Sequence, residues 1–179
     1  MNRRKAIETV LFRKQDAIVF SSNGYTSREL FSVKDRKENF YVIGAMGFAS
    51  SLALGYSLCA PEKETIILEG DANILMNLSS LVTIANTKPN LIHIILDNGT
   101  SSSTGGQKTY ASYVDLSEMA EKSGYAKIIV VKTVEELGRA LDLNKRPLFI
   151  LAKISLEEYK KPRVGVHPEQ LVERIKGLT

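Results

Sequence analysis

Asp71 and Asn98 are the residues of this 179-residue chain whose types and spacing best suit chemistry. Asp71 follows Gly70 at the end of an apolar run, Thr65-Ile66-Ile67-Leu68-Glu69. Asn98 follows a second run, Leu91-Ile92-His93-Ile94-Ile95-Leu96, which closes in Asp97-Asn98-Gly99-Thr100. Asn73 to Ala85 has the pattern of a helix, so the 27-residue step from Asp71 to Asn98 reads as strand, loop, helix, strand, loop. Both loops then lie at the carboxyl ends of neighbouring parallel strands, where open α/β sheets bind their ligands. A carboxylate and an amide oxygen aimed at one point are hard ligands that suit Mg²⁺, which draws its remaining ligands from phosphate and water. Backbone N–H groups opening the 73–85 helix favour an anion at the same point. The plainer alternative is an ordinary βαβ crossover with a turn at each end.

A second segment, Gly44-Ala45-Met46-Gly47 with Phe48 to Gly55 behind it, ends 25 residues before Asp71 when measured from Met46. Read alone, it is a small-residue helix start with Met46 as a core side chain. A third, Ser21-Ser22-Asn23-Gly24-Tyr25-Thr26-Ser27-Arg28-Glu29-Leu30-Phe31, predicts a turn at Asn23-Gly24. It also predicts an N-cap at Thr26, with Glu29 completing a capping box.

The elements that position these loops alternate. Helical patterns cover 3–14, 26–33, 47–59, 73–86, 115–123, 133–142 and 168–176; strand patterns cover 17–21, 40–43, 65–69, 91–96, 127–131 and 148–154. Several strands are apolar almost throughout, as expected where both sheet faces are covered. The expectation is an α/β fold: a three-layer, doubly wound parallel sheet. The stretch 99–113, rich in Gly, Ser and Thr, reads as an active-site loop.

The Gly70-Asp71-Ala72 to Asp97-Asn98 pattern resembles the thiamine diphosphate motif, Gly-Asp-Gly followed after about two dozen residues by Asn-Asn. Ala72 replaces the third glycine and Asp97 the first asparagine. Ala72 is tolerable if that position needs no positive φ. Gly44-Ala45-Met46-Gly47 is similar to the segment that bends the cofactor in thiamine-dependent decarboxylases. Thr26-Ser27-Arg28-Glu29-Leu30-Phe31, and Gly105-Gly106-Gln107 with Thr109, resemble sulfopyruvate and phosphonopyruvate decarboxylases, the former as a separately encoded beta subunit. The likeness covers roughly residues 15 to 125; beyond that the chain matches only in general shape.

This resemblance implies a thiamine diphosphate-binding fold of the diphosphate-domain type, with 1–179 as one cofactor domain. It implies Mg²⁺ on Asp71, the Asn98 side chain and the Thr100 main-chain oxygen. It implies cofactor contacts at Asn23, Gly24, Tyr25, Thr26, Gly44, Ala45, Met46, Gly70, Asp71, Ala72, Asn73, Asn98, Thr100, Ser101 and Ser102. Met46 is the wedge that bends the cofactor, and the Gly44 carbonyl accepts from its amino group. The catalytic glutamate and the pyrimidine-binding domain are expected from an alpha subunit, because such enzymes need two α/β domains. The substrate is a small anionic 2-oxo acid, for which Arg28, Arg163 and His167 are candidate cations. Arg28 as an exposed first-turn residue and Lys160-Lys161-Pro162-Arg163 as a solvated connection remain the plainer alternatives. Carboligation, oxidation of the 2-oxo acid, or a non-catalytic cofactor module also remain open.

Composition bounds these readings. The net charge of +4 is modest and its basic residues are spread without interleaved aromatics, which argues against nucleic acid. No apolar run approaches a membrane span, and the basic start, Met1 to Lys5, leads into an amphipathic pattern, so the expected location is cytoplasmic. Cys59, the single cysteine, excludes an internal disulfide or a cysteine cluster and is expected to be a buried thiol.

Overall fold

Strand residues with apolar side chains on both faces build the centre of the molecule. In the computed structural model, which describes residues 1–156 and 161–178, six parallel strands form one sheet. They are β1 (Ile18–Ser21), β2 (Asn39–Tyr41), β3 (Thr65–Gly70), β4 (Leu91–Asp97), β7 (Lys127–Val131) and β8 (Leu148–Lys153). Their order is β2-β1-β3-β4-β8-β7. Between β4 and β7 the chain makes a two-stranded antiparallel ribbon, β5 (Thr100–Ser101) and β6 (Gln107–Lys108), paired Thr100 to Lys108 and Ser101 to Gln107.

Alternation along the strands sorts the core into two layers. Val19, Ile66, Leu68, Ile92, Ile94 and Ile150 face α1 (Arg3–Arg13), α2 (Tyr25–Val33), α7 (Val134–Leu141) and α8 (Pro168–Lys176). Ile18, Phe20, Ile67, Ile95 and Phe149 face α3 (Ala49–Cys59), α4 (Asp71–Ile74), α5 (Ser79–Thr87) and α6 (Leu116–Ser123). The result is the expected three-layer α/β arrangement. The strand order reverses at β1, since β2 lies on one side of it and β3 on the other; the carboxyl ends of β1 and β3 therefore open a crevice at the switch point.

Local sequence explains most boundaries. Asp115 caps α6, accepting from the Ser117 and Glu118 N–H groups. Thr133 and Glu136 form a reciprocal capping box on α7. Three expectations are corrected. The helix expected over 73–86 is two helices, α4 and α5, separated by 75–78. Asn77 sits at the break: its Nδ2 donates to the Gly47 carbonyl at 2.8 Å, and its main-chain oxygen accepts from the Ser80 N–H at 3.1 Å and from Ser80 Oγ at 2.8 Å, a tighter i→i+3 turn in place of the helical i→i+4 bond.

The capping box expected at Thr26 is absent. Gly24, with φ +82°, is the cap of α2, and Thr26 is buried at the second position of its first turn. Glu29 is held instead by Arg4 at 3.3 Å and Lys161 at 4.0 Å, a buried carboxylate satisfied by tertiary partners. Cys59 is exposed, because it falls on the outward side of the last turn of α3. No helix among the described residues is long and apolar enough to cross a membrane.

Candidate functional site

The β1–α2 turn is built first. Ser27 Oγ donates to the Ser22 carbonyl at 2.8 Å and lies 2.8 Å from Ser21 Oγ, with all three serines buried. This closes the turn and presents Asn23 and Tyr25 outward at the carboxyl end of β1. Glycine is required at position 24, where φ is +82°.

At the end of β3, Asp71 opens α4 and is 1% exposed. Burial pushes its carboxyl above the ordinary aspartate value; the Thr109 hydroxyl works against this, and the nearby Asp97 charge adds to the rise. Ala72 lies inside α4 and takes no positive φ, so the site does not need a third glycine. At the end of β4, Asn98 Oδ1 accepts from the Thr100 N–H at 3.1 Å, and its Nδ2 donates to Ser102 Oγ at 3.0 Å. The amide is thereby held with its oxygen able to accept a further ligand.

These ends converge. One cleft is lined by Asn23, Tyr25, Thr26, Met46, Gly70, Asp71, Ala72, Asn73, Asn98, Thr100, Ser101 and Ser102. The Met46 loop reaches it because α4 stitches it down. Asn73 Oδ1 accepts from the Gly47 N–H at 3.1 Å, and Asn77 donates to the Gly47 carbonyl. Met46 is half-buried and packs into neither apolar core, so its side chain serves the cleft rather than the interior.

The residues fit a metal–diphosphate group. Asp71 carboxylate, Asn98 amide and Thr100 main chain are an all-oxygen set suited to Mg²⁺. Asn23 Oδ1 is buried at the cleft without a hydrogen-bond partner, a polar atom that a bound group would satisfy. The cleft itself encloses only about 40 Å³, far below the ~300–1,000 Å³ of an ordinary small-molecule pocket.

Residues 24–150 match the family described as thiamine pyrophosphate enzyme, C-terminal TPP binding domain. The chain is 37% identical to the sulfopyruvate decarboxylase subunit beta of Methanothermobacter thermautotrophicus, over 100% of this chain and 98% of that one. The chain belongs to this family of thiamine pyrophosphate enzymes. It is also 41% identical, over 78% of its length, to the phosphonopyruvate decarboxylase of Streptomyces viridochromogenes, of which it spans 35%. A solved Mycobacterium smegmatis protein assigned to the thiamin diphosphate-dependent enzymes superposes with a TM-score of 0.65 over 88% of this chain and 32% of that one; at 20% identity it shares the fold.

Within this thiamine pyrophosphate-binding chain, the expected residues separate into two groups. Gly24, Gly44 and Ala45 flank the lining without contributing to it, and they shape the two turns through φ of +82°, +70° and +42°. Arg28 stands just outside, its guanidinium 5.4 Å from the Tyr25 ring centroid. Arg163 and His167, expected at the substrate, are not brought there. Both are exposed; His167 caps α8, its N–H donating to Gln170 Oε1 at 3.0 Å. The reason is that α8 packs along the β2 edge, fixed by the bidentate Arg174–Asp35 pair at 2.7 and 3.0 Å. Lys160 lies outside the described residues.

Arg3 and Leu96 line the cleft and were not anticipated. Leu96 could have been found as the last apolar side chain of its strand. Arg3 comes from the first turn of α1, and no local signal announces it. Asp97, the departure from the Asn-Asn pattern, is explained by geometry. Its carboxylate turns away from the cleft to Lys153 on β8 and accepts from the Gly99 N–H at 3.0 Å, beside a separate cavity of about 510 Å³. The substitution is compensated by a cation and leaves Asn98 in place.

Proposed function

We propose that this chain is the cofactor-binding beta subunit of a heteromeric decarboxylase acting on an acidic 2-oxo acid, sulfopyruvate or phosphonopyruvate. The products are CO₂ with sulfoacetaldehyde or phosphonoacetaldehyde. The observation that carries the reading is the convergence of Asp71, Asn98, Met46 and the Asn23–Thr26 turn on one cleft at the switch point of the sheet.

In this reading Asp71, Asn98 and the Thr100 main-chain oxygen hold Mg²⁺, which screens the diphosphate from the Asp71 charge. The N–H groups opening α2 at Tyr25 and Thr26 favour the diphosphate anion. When bound, thiamine diphosphate supplies the electron sink for decarboxylation. Met46 and the Gly44 carbonyl orient it. Arg28, at the mouth of the cleft, offers a cation to the substrate's acidic group. An alpha subunit supplies the facing wall and the catalytic glutamate.

The heteromer purified with its alpha subunit tests this directly. With Mg²⁺ and thiamine diphosphate it should release CO₂ and a free aldehyde from one of the two acids, with no electron acceptor or second carbonyl substrate added. A requirement for either addition, or turnover indifferent to the cofactor, would overturn the assignment.

A further inference from the structure

Thr109 lies 38 residues from Asp71 in sequence, yet its hydroxyl donates to Asp71 Oδ2. Both residues are buried, Asp71 at 1% and Thr109 at 8% exposure. The Thr109 N–H donates to the Gly99 carbonyl at 3.0 Å, closing the base of the 99–109 loop just beneath the β5–β6 ribbon. One residue therefore grips both the carboxylate at the end of β3 and the loop that follows Asn98.

We propose that Thr109 is a positioning residue for the cation: its hydroxyl fixes the Asp71 carboxylate and makes the 99–109 loop part of the metal site. The inference rests on the metal reading given above. A carboxylate has two oxygens; the hydroxyl occupies one and leaves the other for a cation. Threonine suits the task because its branched side chain has few χ1 choices, so the donor is held in place before the ion arrives. Groups one step behind a ligand of this kind set its orientation, and their loss typically weakens metal binding by about 10–100-fold. The connection also runs outward. Thr100 and Ser101 of β5 pair with Lys108 and Gln107 of β6, directly before Thr109, so order at the metal corner is order in the ribbon.

The test uses the complex with the alpha subunit and Mn²⁺ as a paramagnetic substitute, titrated with thiamine diphosphate present. Thr109→Val keeps the shape and deletes the donor; it should weaken Mn²⁺ binding by about 10–100-fold. Thr109→Ser keeps the donor and should bind close to wild type. Hydrogen exchange of 99–109 supplies the second readout: added metal should protect the segment in wild type and Thr109→Ser, and should not in Thr109→Val.

Wild-type affinity in Thr109→Val overturns the inference. So does equal loss in Thr109→Ser, which would mean methyl packing, and so does a Thr109→Val chain already unfolded at the assay temperature, which would mean a role in the fold. A wild-type complex that shows no metal-dependent cofactor binding instead removes the cofactor reading itself.

Discussion

At the scale of single residues, the site sets stability against function. Asp71 is a nearly inaccessible carboxylate whose burial raises its pKa, with the Thr109 hydroxyl only partly compensating. An acid with a raised folded-state pKa binds more protons folded than unfolded, so stability falls as pH climbs through the window above the ordinary aspartate value and is flat beyond it. Asp71→Asn removes that titration while keeping the shape. The metal-free Asp71→Asn chain should therefore melt above wild type at neutral pH, with the gap narrowing as the pH is lowered toward about 4. With Mg²⁺ and cofactor present the order should reverse, because only wild type gains the binding energy. Thermal melts at two pH values, with and without ligand, check both signs; a metal-free variant no more stable than wild type would show that Asp71 carries no burial cost. Met46→Ala makes a separate test. Since the side chain lies on the cleft and in neither core, turnover should fall more than cofactor affinity, with the melting temperature little changed. A fully active variant removes the wedge role.

At the scale of elements, the left-handed turn at Gly44–Gly47 is held by Asn73 of α4 and by Asn77 just beyond it. Gly47 adopts φ +87°, and a Cβ there would sit 3.1 Å from Met76 Cβ and 3.3 Å from the Asn73 carbonyl. Gly47→Ala combines left-handed strain of about 1–2 kcal/mol with overpacking of about 1–3 kcal/mol. At about 2–4 °C per kcal/mol, the melting temperature should drop on the order of 10 °C. Gly55→Ala, in the exposed middle of α3 with open space at its Cβ, should instead stabilise by about 0.5–1 kcal/mol. Parallel melts of the two variants separate a conformational requirement from a generic glycine effect. The same elements show what the sequence announced and what it withheld. The strands and the Asp71–Asn98 spacing were legible because periodicity and apolar runs are local signals. The break at 75–78 was not, because Asn77 is diverted by Gly47, thirty residues away in sequence. Thr26 and Glu29 read as a cap for the same reason: nothing nearby reveals that Arg4 and Lys161 take the carboxylate. Arg163 and His167 lie away from the cleft because their place depends on where α8 docks, which a short amphipathic helix does not specify by itself.

At the scale of the molecule, the cleft is open on the side where the proposed function places a partner. The described residues form one sheet with its two helical layers and a short ribbon, and the cleft they offer encloses about 40 Å³. In the proposed reading a cofactor seated there meets diphosphate and metal ligands, with Met46 and the Gly44 carbonyl beside them, and no group of this chain that protonates its pyrimidine is assigned. Around the Met46 loop, Ile43, Phe48 and Met76 remain 54%, 57% and 64% exposed. Large apolar side chains grouped at the rim of a cleft mark a docking surface. The alpha subunit that the proposed function calls for would cover them while completing the cofactor pocket. In the proposed reading a second copy of this chain does not repair the deficit, since every copy brings the same ligands and the glutamate comes with the alpha subunit. The expectation is that this chain, purified alone, shows no 2-oxo acid decarboxylation, and that titrating in the alpha subunit raises activity to a plateau at a fixed subunit ratio. Phe48→Asp should raise the alpha-subunit concentration needed for half-maximal activity, because a charge would be buried against an apolar partner without compensation. Its plateau should stay near wild type, since Phe48 is not among the cleft-lining residues. Steady decarboxylation by this chain free of any second polypeptide would mean that the missing wall is not missing, and the division of the site between two subunits would fall with it.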